Sequence, residues 1–124
     1  MESNGGISQL SADLYTDSIG ASRMILFYFE SLLALGRGGD LVVGMEAVGR
    51  ARVGDAEVAE ELVKAMMRIA VRSAVRRIVD GEHLDRICAV VSRAPMFQRS
   101  VGSDTLAAYL DVLRAARGEM EADP

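Results

Sequence analysis

One stretch of the chain decides its fold class: Asp55 to Asp80, DAEVAEELVKAMMRIAVRSAVRRIVD. At about 100° per residue, its bases fall at successive i+4 steps and form a slowly rotating cationic stripe, Lys64, Arg68, Arg72 and Arg76. Its apolar residues fill an arc of roughly 200°, against about 100° for an ordinary surface helix. The pattern predicts one long helix over residues 55–80 that neighbouring elements cover on more than one side.

The part of the chain before this helix is predicted to form two further helices. The first spans about residues 11–35 and ends at Gly36, and the glycine-rich residues 36–40 form a turn. Residues 41–53 favour a helix, although their valines and glycines would also suit a strand.

The part of the chain after residue 80 is predicted to add two more helices. One runs over about residues 82–94 and stops at Pro95, because proline cannot continue a helix. Residues 95–103 are predicted to be a loop, and a last helix then carries an apolar stripe as far as Met120. The sequence therefore predicts an all-α fold, a compact bundle of about five helices around the long 55–80 helix.

Length and composition fit one globular domain. A chain of 124 residues can bury about two thirds of its unfolded surface, and 50% of these residues are hydrophobic and 26% charged. We predict a single helical domain over residues 11–120, with flexible ends at residues 1–10 and 121–124. Neither a signal peptide nor an apolar run long enough to span a bilayer is visible, so we expect a cytoplasmic protein without membrane contact.

The sequence shows no set of residues for catalysis, metal binding or cofactor binding. One Cys and one His cannot build a structural zinc site. The glycines between residues 36 and 54 resemble a phosphate-binding loop only in spacing, because the Lys-Ser/Thr pair of that motif is missing. We therefore predict no catalytic residue, no metal ligand and no cofactor.

The net charge of −4 conceals a segregation along the chain. Residues 1–63 carry a net charge of −6, residues 64–99 a net charge of +5, and residues 100–124 a net charge of −3. Either the acidic ends pair with the basic middle, within the bundle or across an oligomer, or the middle faces a polyanion. The first interpretation is favoured and the second stays open.

The second half of the first helix has apolar side chains on nearly every face. Leaving such a run in water is unfavourable, and together with the wide apolar arc it exceeds what one small bundle easily covers. We therefore predict a homodimer or a subunit of a larger assembly. The predicted oligomer interface consists of Met24, Ile25, Phe27, Tyr28, Phe29 and Leu32.

These observations favour a non-enzymatic helical interaction or scaffold protein that self-associates or belongs to a larger assembly. The alternative is a nucleic-acid-binding accessory subunit, because bases at i+4 spacing repeat about every 6 Å along a helix, close to the spacing of backbone phosphates. Its candidate phosphate contacts are Lys64, Arg68, Arg72, Arg76 and Arg77. For the stripe itself the favoured interpretation is that these bases are solvated flanks of a buried helix, ahead of contact with acidic side chains and of contact with phosphates.

A short motif points to one enzyme class. Residues 76–83, Arg-Arg-Ile-Val-Asp-Gly-Glu-His, resemble the R-x4–6-H signature of the HEPN ribonuclease superfamily, small all-helical proteins that form a composite site by dimerising. The resemblance implies that Arg76 or Arg77 stabilises the phosphate and that His83 assists proton transfer. From its position at a helix start beside two acidic residues, we expect His83 instead to belong to the helix cap and not to be catalytic.

Overall fold

The computed structural model describes residues 18–122 of the chain. Within this range the chain forms six helices and no strand. The helices are α1 Ser18–Leu35, α2 Gly38–Gly49, α3 Ala56–Val75, α4 Gly81–Arg93, α5 Pro95–Ser100 and α6 Ser103–Ala122. The predicted all-α class is confirmed. The predicted start of the first helix at residue 11 and the flexible segment 1–10 lie outside the described residues, as do residues 123 and 124.

Helix α3 begins as predicted but ends earlier. The carboxylate of its N-cap, Asp55, accepts hydrogen bonds from the amides of Glu57 at 2.9 Å and Val58 at 3.1 Å. The helix stops at Val75, so the prediction that it continues to Asp80 is wrong. The apolar pattern continues past the end of the helix through Ile78 and Val79. Val79 is buried and Ile78 half-buried, but neither is helical, so the pattern overestimates the length of the helix.

Helix α3 ends with a left-handed residue that is not a glycine, so the sequence does not reveal this end. Arg77 has a left-handed backbone with φ 60°. Its amide donates to the carbonyl of Ala74 at 3.1 Å, and the amide of Ile78 donates to the carbonyl of Ser73 at 2.9 Å. This is the Schellman arrangement, in which the left-handed position is normally glycine because other residues pay about 1–2 kcal/mol there. Arginine in this position gives no sequence signal for a helix end.

Helix α1 ends with the same arrangement and with the expected residue. Gly36 has φ 71°, its amide donates to the carbonyl of Leu33 at 3.2 Å, and the amide of Arg37 donates to the carbonyl of Leu32 at 2.9 Å. Since glycine adopts this conformation without strain, the predicted helix end at Gly36 is confirmed. The turn is shorter than predicted, because α2 already begins at Gly38.

The remaining differences lie around α2, α4 and α5. The helix predicted over residues 41–53, in preference to a strand, is confirmed in type by α2, but it begins three residues earlier and ends at Gly49, so residues 50–53 are not helical. Gly81 does not end the long helix as predicted but begins α4, with Asp80 as its N-cap. The predicted loop after Pro95 contains the short helix α5, because proline is well suited to a first helical position, where its missing amide hydrogen is not needed.

The core lies between α3 and the helices around it. Helix α3 packs against α1, α5 and α6, while α4 packs against α2, α5 and α6. The largest fully buried side chains are Phe29, Phe97, Ile25, Leu33, Leu41, Met45, Leu62, Met66, Met67, Leu84 and Ile87. Two aromatic rings and three methionines among mainly aliphatic side chains fill the space between helices that meet at different angles. No helix within residues 18–122 has the length and apolar character needed to cross a membrane.

Candidate functional site

Half of the cationic stripe is neutralised inside the chain. The ammonium of Lys64 lies 2.8 Å from a carboxylate oxygen of Glu60, one turn earlier on α3. The guanidinium of Arg72 lies 3.0 Å from a carboxylate oxygen of Glu30 on α1. The hydrogen bond to Glu60 raises the pKa of Lys64, so this side chain remains charged and paired. These two bases already have acidic partners.

The other bases of the stripe are placed differently. Arg68 and Arg76 are exposed and form no hydrogen bond or ion pair with any side chain of residues 18–122. They are separated by eight residues, about 12 Å along the helix axis. Arg77 is also exposed, but it occupies the left-handed position that ends α3. The stripe therefore presents two separated unpaired cations and not a continuous row.

The facing edges of α1 and α3 have complementary charges. Arg23, early in α1, lines a groove together with Glu57 and Glu61, early in α3. Further along both helices Glu30 pairs with Arg72, so α1 and α3 run in the same direction with base opposite acid at one end and acid opposite base at the other. Of these contacts, only the pair of Glu30 with Arg72 joins the acidic segment 1–63 to the basic middle 64–99, because Arg23, Glu57 and Glu61 all belong to the acidic segment.

The predicted oligomer interface divides between core and surface. Ile25 and Phe29 are completely buried and Leu32 nearly so, which removes these three residues from any external interface. Tyr28 is half-buried, with its ring centroid 5.8 Å from that of Phe29. The periodicity of α1 explains the division, because its buried residues recur at helical spacing and point into the bundle.

Three large apolar side chains of α1 remain outside the core. Phe27 is 75% exposed, Leu35 is 70% exposed and Met24 is 58% exposed. At about 100° per residue all three point away from the buried side of α1, and we refer to them as the apolar outer face. Met24 and Phe27 are neighbours at i,i+3 spacing, whereas Leu35 lies eight residues, about 12 Å along the helix axis, beyond Phe27.

His83 belongs to the cap of α4. Its amide donates to the Asp80 carboxylate at 2.8 Å, and its Nδ1 lies 3.3 Å from the amide nitrogen of Asp80, which completes a capping box. The expectation of a residue in the helix cap is confirmed. His83 and Arg77 also line one pocket of about 390 Å³ with Met120. The two residues singled out by the ribonuclease resemblance are therefore close, but one imidazole nitrogen already has a structural partner.

One pocket lined by basic side chains has no counterpart among the sequence predictions. Arg50, Arg52 and Arg99 line a pocket of about 360 Å³ between the α2–α3 link and α5, together with Ala51, Val53, Ala59, Pro95, Met96 and Ser100. We refer to it as the arginine pocket. The spacing of Arg50 and Arg52 is visible in the sequence, but Arg99 is distant in the chain and only tertiary packing brings it to them.

Close packing at Gly49 builds this pocket. A Cβ atom on Gly49 would lie 2.9 Å from the Cβ of Ala94 and 3.2 Å from a methyl carbon of Val90, closer than ordinary contacts. The amide of Ala51 donates to the carbonyl of Val48 at 2.9 Å, which ends α2 tightly. Without a side chain at Gly49 the end of α2 reaches the α4–α5 junction, and the link carrying Arg52 then lies along α5.

A close ion pair fixes α2 to α4 on another side of the bundle. Arg86 donates from Nη2 to Glu46 at 2.6 Å and from Nε to the other carboxylate oxygen at 3.1 Å. This hydrogen bonding lowers the pKa of Glu46 below its ordinary value of 4.5. The fork of two bonds fixes the register of the two helices, and its residues are structural in character.

Residues 18–122 contain potential metal-ligating side chains and one cysteine, Cys88. No group of three or more His, Cys, Asp and Glu side chains within residues 18–122 is arranged to hold a metal ion. Burial raises the pKa of the Cys88 thiol, which disfavours the nucleophilic thiolate. Cys88 packs against the core as a small apolar residue.

The chain matches no protein-family model, and neither a curated protein nor a solved structure matches it.

Proposed function

We propose that this protein is a non-enzymatic interaction protein that self-associates through the apolar outer face of α1. The observation that carries the proposal is the exposure of Phe27, which is 75% accessible on a helix whose opposite side is completely buried. Met24 and Leu35 extend the apolar surface on either side of it. Removing these side chains from water is favourable by about 25 cal/mol per Å² of apolar area.

A second copy of the chain suits this face. Aromatic and methionine side chains are enriched at the centres of protein interfaces, and α1, with 18 residues, is about 27 Å long. In a two-fold symmetric contact the apolar outer faces of two copies cover each other, so one patch serves as both halves of the interface.

Light scattering across a dilution series tests this proposal. We expect the wild-type protein to be an oligomer at high micromolar concentration and to dissociate on dilution, whereas Phe27→Glu should be monomeric throughout. Val112→Glu is the matched control, because Val112 is also an exposed apolar residue but lies on α6. It introduces the same charge and should leave the association unchanged.

Two results would contradict the proposal. A wild-type protein that is a monodisperse monomer at high micromolar concentration would mean that the outer face is covered within one chain. Equal disruption by Phe27→Glu and Val112→Glu would mean that added negative charge, and not the α1 face, prevents assembly. Circular dichroism of both variants separates loss of association from loss of folding.

Nucleic-acid binding is a second candidate, favoured by the unpaired exposed guanidinium groups of Arg68 and Arg76. Because Lys64 and Arg72 have intramolecular partners, we expect any salt dependence to reflect about two released counterions and not four. Affinity for a single-stranded oligonucleotide, measured against salt for wild type and for the Arg68→Gln/Arg76→Gln double variant, tests this. A slope unchanged in the double variant would exclude the stripe as the binding surface.

The ribonuclease interpretation has a direct test. We expect no cleavage when the protein is incubated with mixed RNA substrates in the absence of metal, because His83 takes part in the cap of α4. Cleavage that disappears in His83→Ala while the helical content stays constant would establish a catalytic role for His83 instead.

A further inference from the structure

We propose that the arginine pocket binds a small phosphate-bearing molecule, with Arg50, Arg52 and Arg99 holding the phosphate. This site is separate from the outer face of α1 and does not depend on self-association. The inference rests on the charge of the pocket, on its shape and on the absence of acidic residues from its lining.

None of the three pocket arginines forms a direct ion pair with an acidic side chain of residues 18–122, whereas Arg37, Arg72, Arg86 and Arg117 each do. Arg50 does feel an acidic neighbour, because after Arg86 it contributes to the lowered pKa of Glu46. Glu46 does not line the pocket, and neither does any other acidic residue. In a chain with a net charge of −4, three bases around a pocket without an acidic lining favour an anion with more than one negative charge.

Helix ends account for only part of this arrangement. Arg50 is the C-cap of α2, and Arg99 lies in the last turn of α5, where positive side chains are generally favourable. Arg52 lies in the irregular link between α2 and α3 and has no such reason. The helix dipole explains why a base is favourable at each helix end, but it does not explain why Arg50, Arg52 and Arg99 line one pocket.

The shape of the pocket indicates a small molecule. Its volume of about 360 Å³ lies within the ordinary range of about 300–1,000 Å³ for small-ligand sites. Met96 and Ala59 are buried and contribute apolar surface, and Ser100 adds a hydroxyl group. A phosphate can therefore lie among the bases while an uncharged organic group contacts the apolar wall.

The chemistry of the lining favours phosphate over other anions. Arginine presents paired N–H donors that match two phosphate oxygens at once, and three such groups exceed what a single carboxylate needs. No aromatic residue lines the pocket, so the stacking platform that single-stranded nucleic acids use is missing. A phosphorylated small molecule fits these features better than a nucleic-acid strand.

Titration calorimetry with the full-length protein tests the proposal, using pyrophosphate and a nucleoside triphosphate as probes and the unphosphorylated nucleoside as the blank. We expect saturable binding of both phosphate probes and none of the nucleoside. Arg52→Gln and Arg99→Gln should each weaken binding about tenfold or more, because each removes charge-assisted hydrogen bonds. Arg114→Gln is the matched control, since Arg114 is exposed on α6 and has the same charge.

Two results would overturn the proposal. One is the absence of binding of both phosphate probes at millimolar concentration. The other is equal weakening by Arg114→Gln and Arg99→Gln, which would indicate a diffuse attraction to the whole surface. Because the altered side chains are exposed, the fold should survive in all variants, and thermal melting checks this.

Discussion

The outward-facing sides of α1 and α3 carry different side chains, which are large and apolar on α1 and basic on α3. Both helices bury one side in the same core. On α3, Glu60 and Glu30 form ion pairs with two of the four bases of the cationic stripe, Lys64 and Arg72. On α1, by contrast, the apolar side chain of Phe27 is 75% exposed. Two of the four bases of the stripe are thus paired within the molecule, whereas the large apolar side chains on the outer face of α1 stay mostly exposed.

The largest expected effect compares the two sides of α1. Phe29→Ala should destabilise the protein by about 3–5 kcal/mol, because its ring is completely buried and its removal leaves a cavity. Phe27→Ala, two residues earlier, should change the free energy of unfolding by less than about 0.5 kcal/mol in dilute solution, where the exposed ring loses few contacts. Urea denaturation at low micromolar concentration measures both. A large loss for Phe27→Ala under these conditions would show that its ring is covered within one chain.

A second prediction tests how tightly the inner side of α1 is packed against α2. A Cβ atom on Gly44 would lie 2.7 Å from an edge carbon of the Phe29 ring, and the buried ring has no space to move into. Gly44→Ala should therefore destabilise by about 1–3 kcal/mol. Gly118→Ala is the control, because a Cβ atom there meets nothing within 4 Å.

The control in this experiment has an expected sign of its own. Gly118 lies within α6, where alanine is favoured over glycine by about 1 kcal/mol. Gly118→Ala should therefore be neutral or stabilising in the same urea titration. If Gly44→Ala behaves like Gly118→Ala, the contact between α1 and α2 is looser than the structure shows, and the distinction between an inner and an outer side of α1 weakens.

The third prediction uses Glu46 and Arg86 as a reference for the ion pairs of α3. Hydrogen bonds from Arg86 lower the pKa of Glu46 in the folded state, so the pair stabilises the protein fully above the unfolded pKa and loses this effect as the pH falls through the folded pKa. The stability advantage of wild type over Glu46→Gln should therefore shrink as the pH drops below about 4.5. Thermal melting across pH 2.5–7 measures it.

A control separates this pair from the general effect of acid. Glu119 is exposed and forms no ion pair with other residues in the range 18–122. Glu119→Gln removes one carboxylate without removing an ion pair, so at neutral pH it should lower the melting temperature less than Glu46→Gln does. A difference between wild type and Glu46→Gln that stays constant from pH 7 to pH 2.5 would mean that the fork between Glu46 and Arg86 does not persist in solution.

The smallest expected effect concerns the outer face of α3. Arg72→Gln should cost about 0.2–1 kcal/mol, the usual range for an exposed ion pair, because it removes the contact with Glu30. Arg68→Gln has no such contact to lose and should be neutral. The double variant Glu30→Gln/Arg72→Gln completes the cycle, since a coupling energy near zero would show that the two charges do not interact.

Local interactions explain which parts of the fold were predictable. The Asp55 cap, the end of α1 at Gly36 and the helical periods of α1 and α3 all depend on residues within a few positions of one another. The end of α3 at Arg77 was missed because an arginine there is strained locally and is held by the rest of the fold. Helix α5 was missed because Pro95 can end one helix and begin the next, and the sequence around it does not distinguish the two.

The candidate sites show the same division. The sequence identified the bases of the stripe and the apolar run of α1, because charge and hydrophobicity belong to individual residues. It could not tell that Phe29 lies inside and Phe27 outside, that Glu30 meets Arg72, or that Arg99 joins Arg50 and Arg52. These pairings depend on how whole helices pack, and packing is decided by contacts between residues far apart in the chain. The sequence by itself determined an all-helical chain and the number of its charged and apolar side chains, and only the tertiary structure decided which of these side chains are buried and which remain exposed.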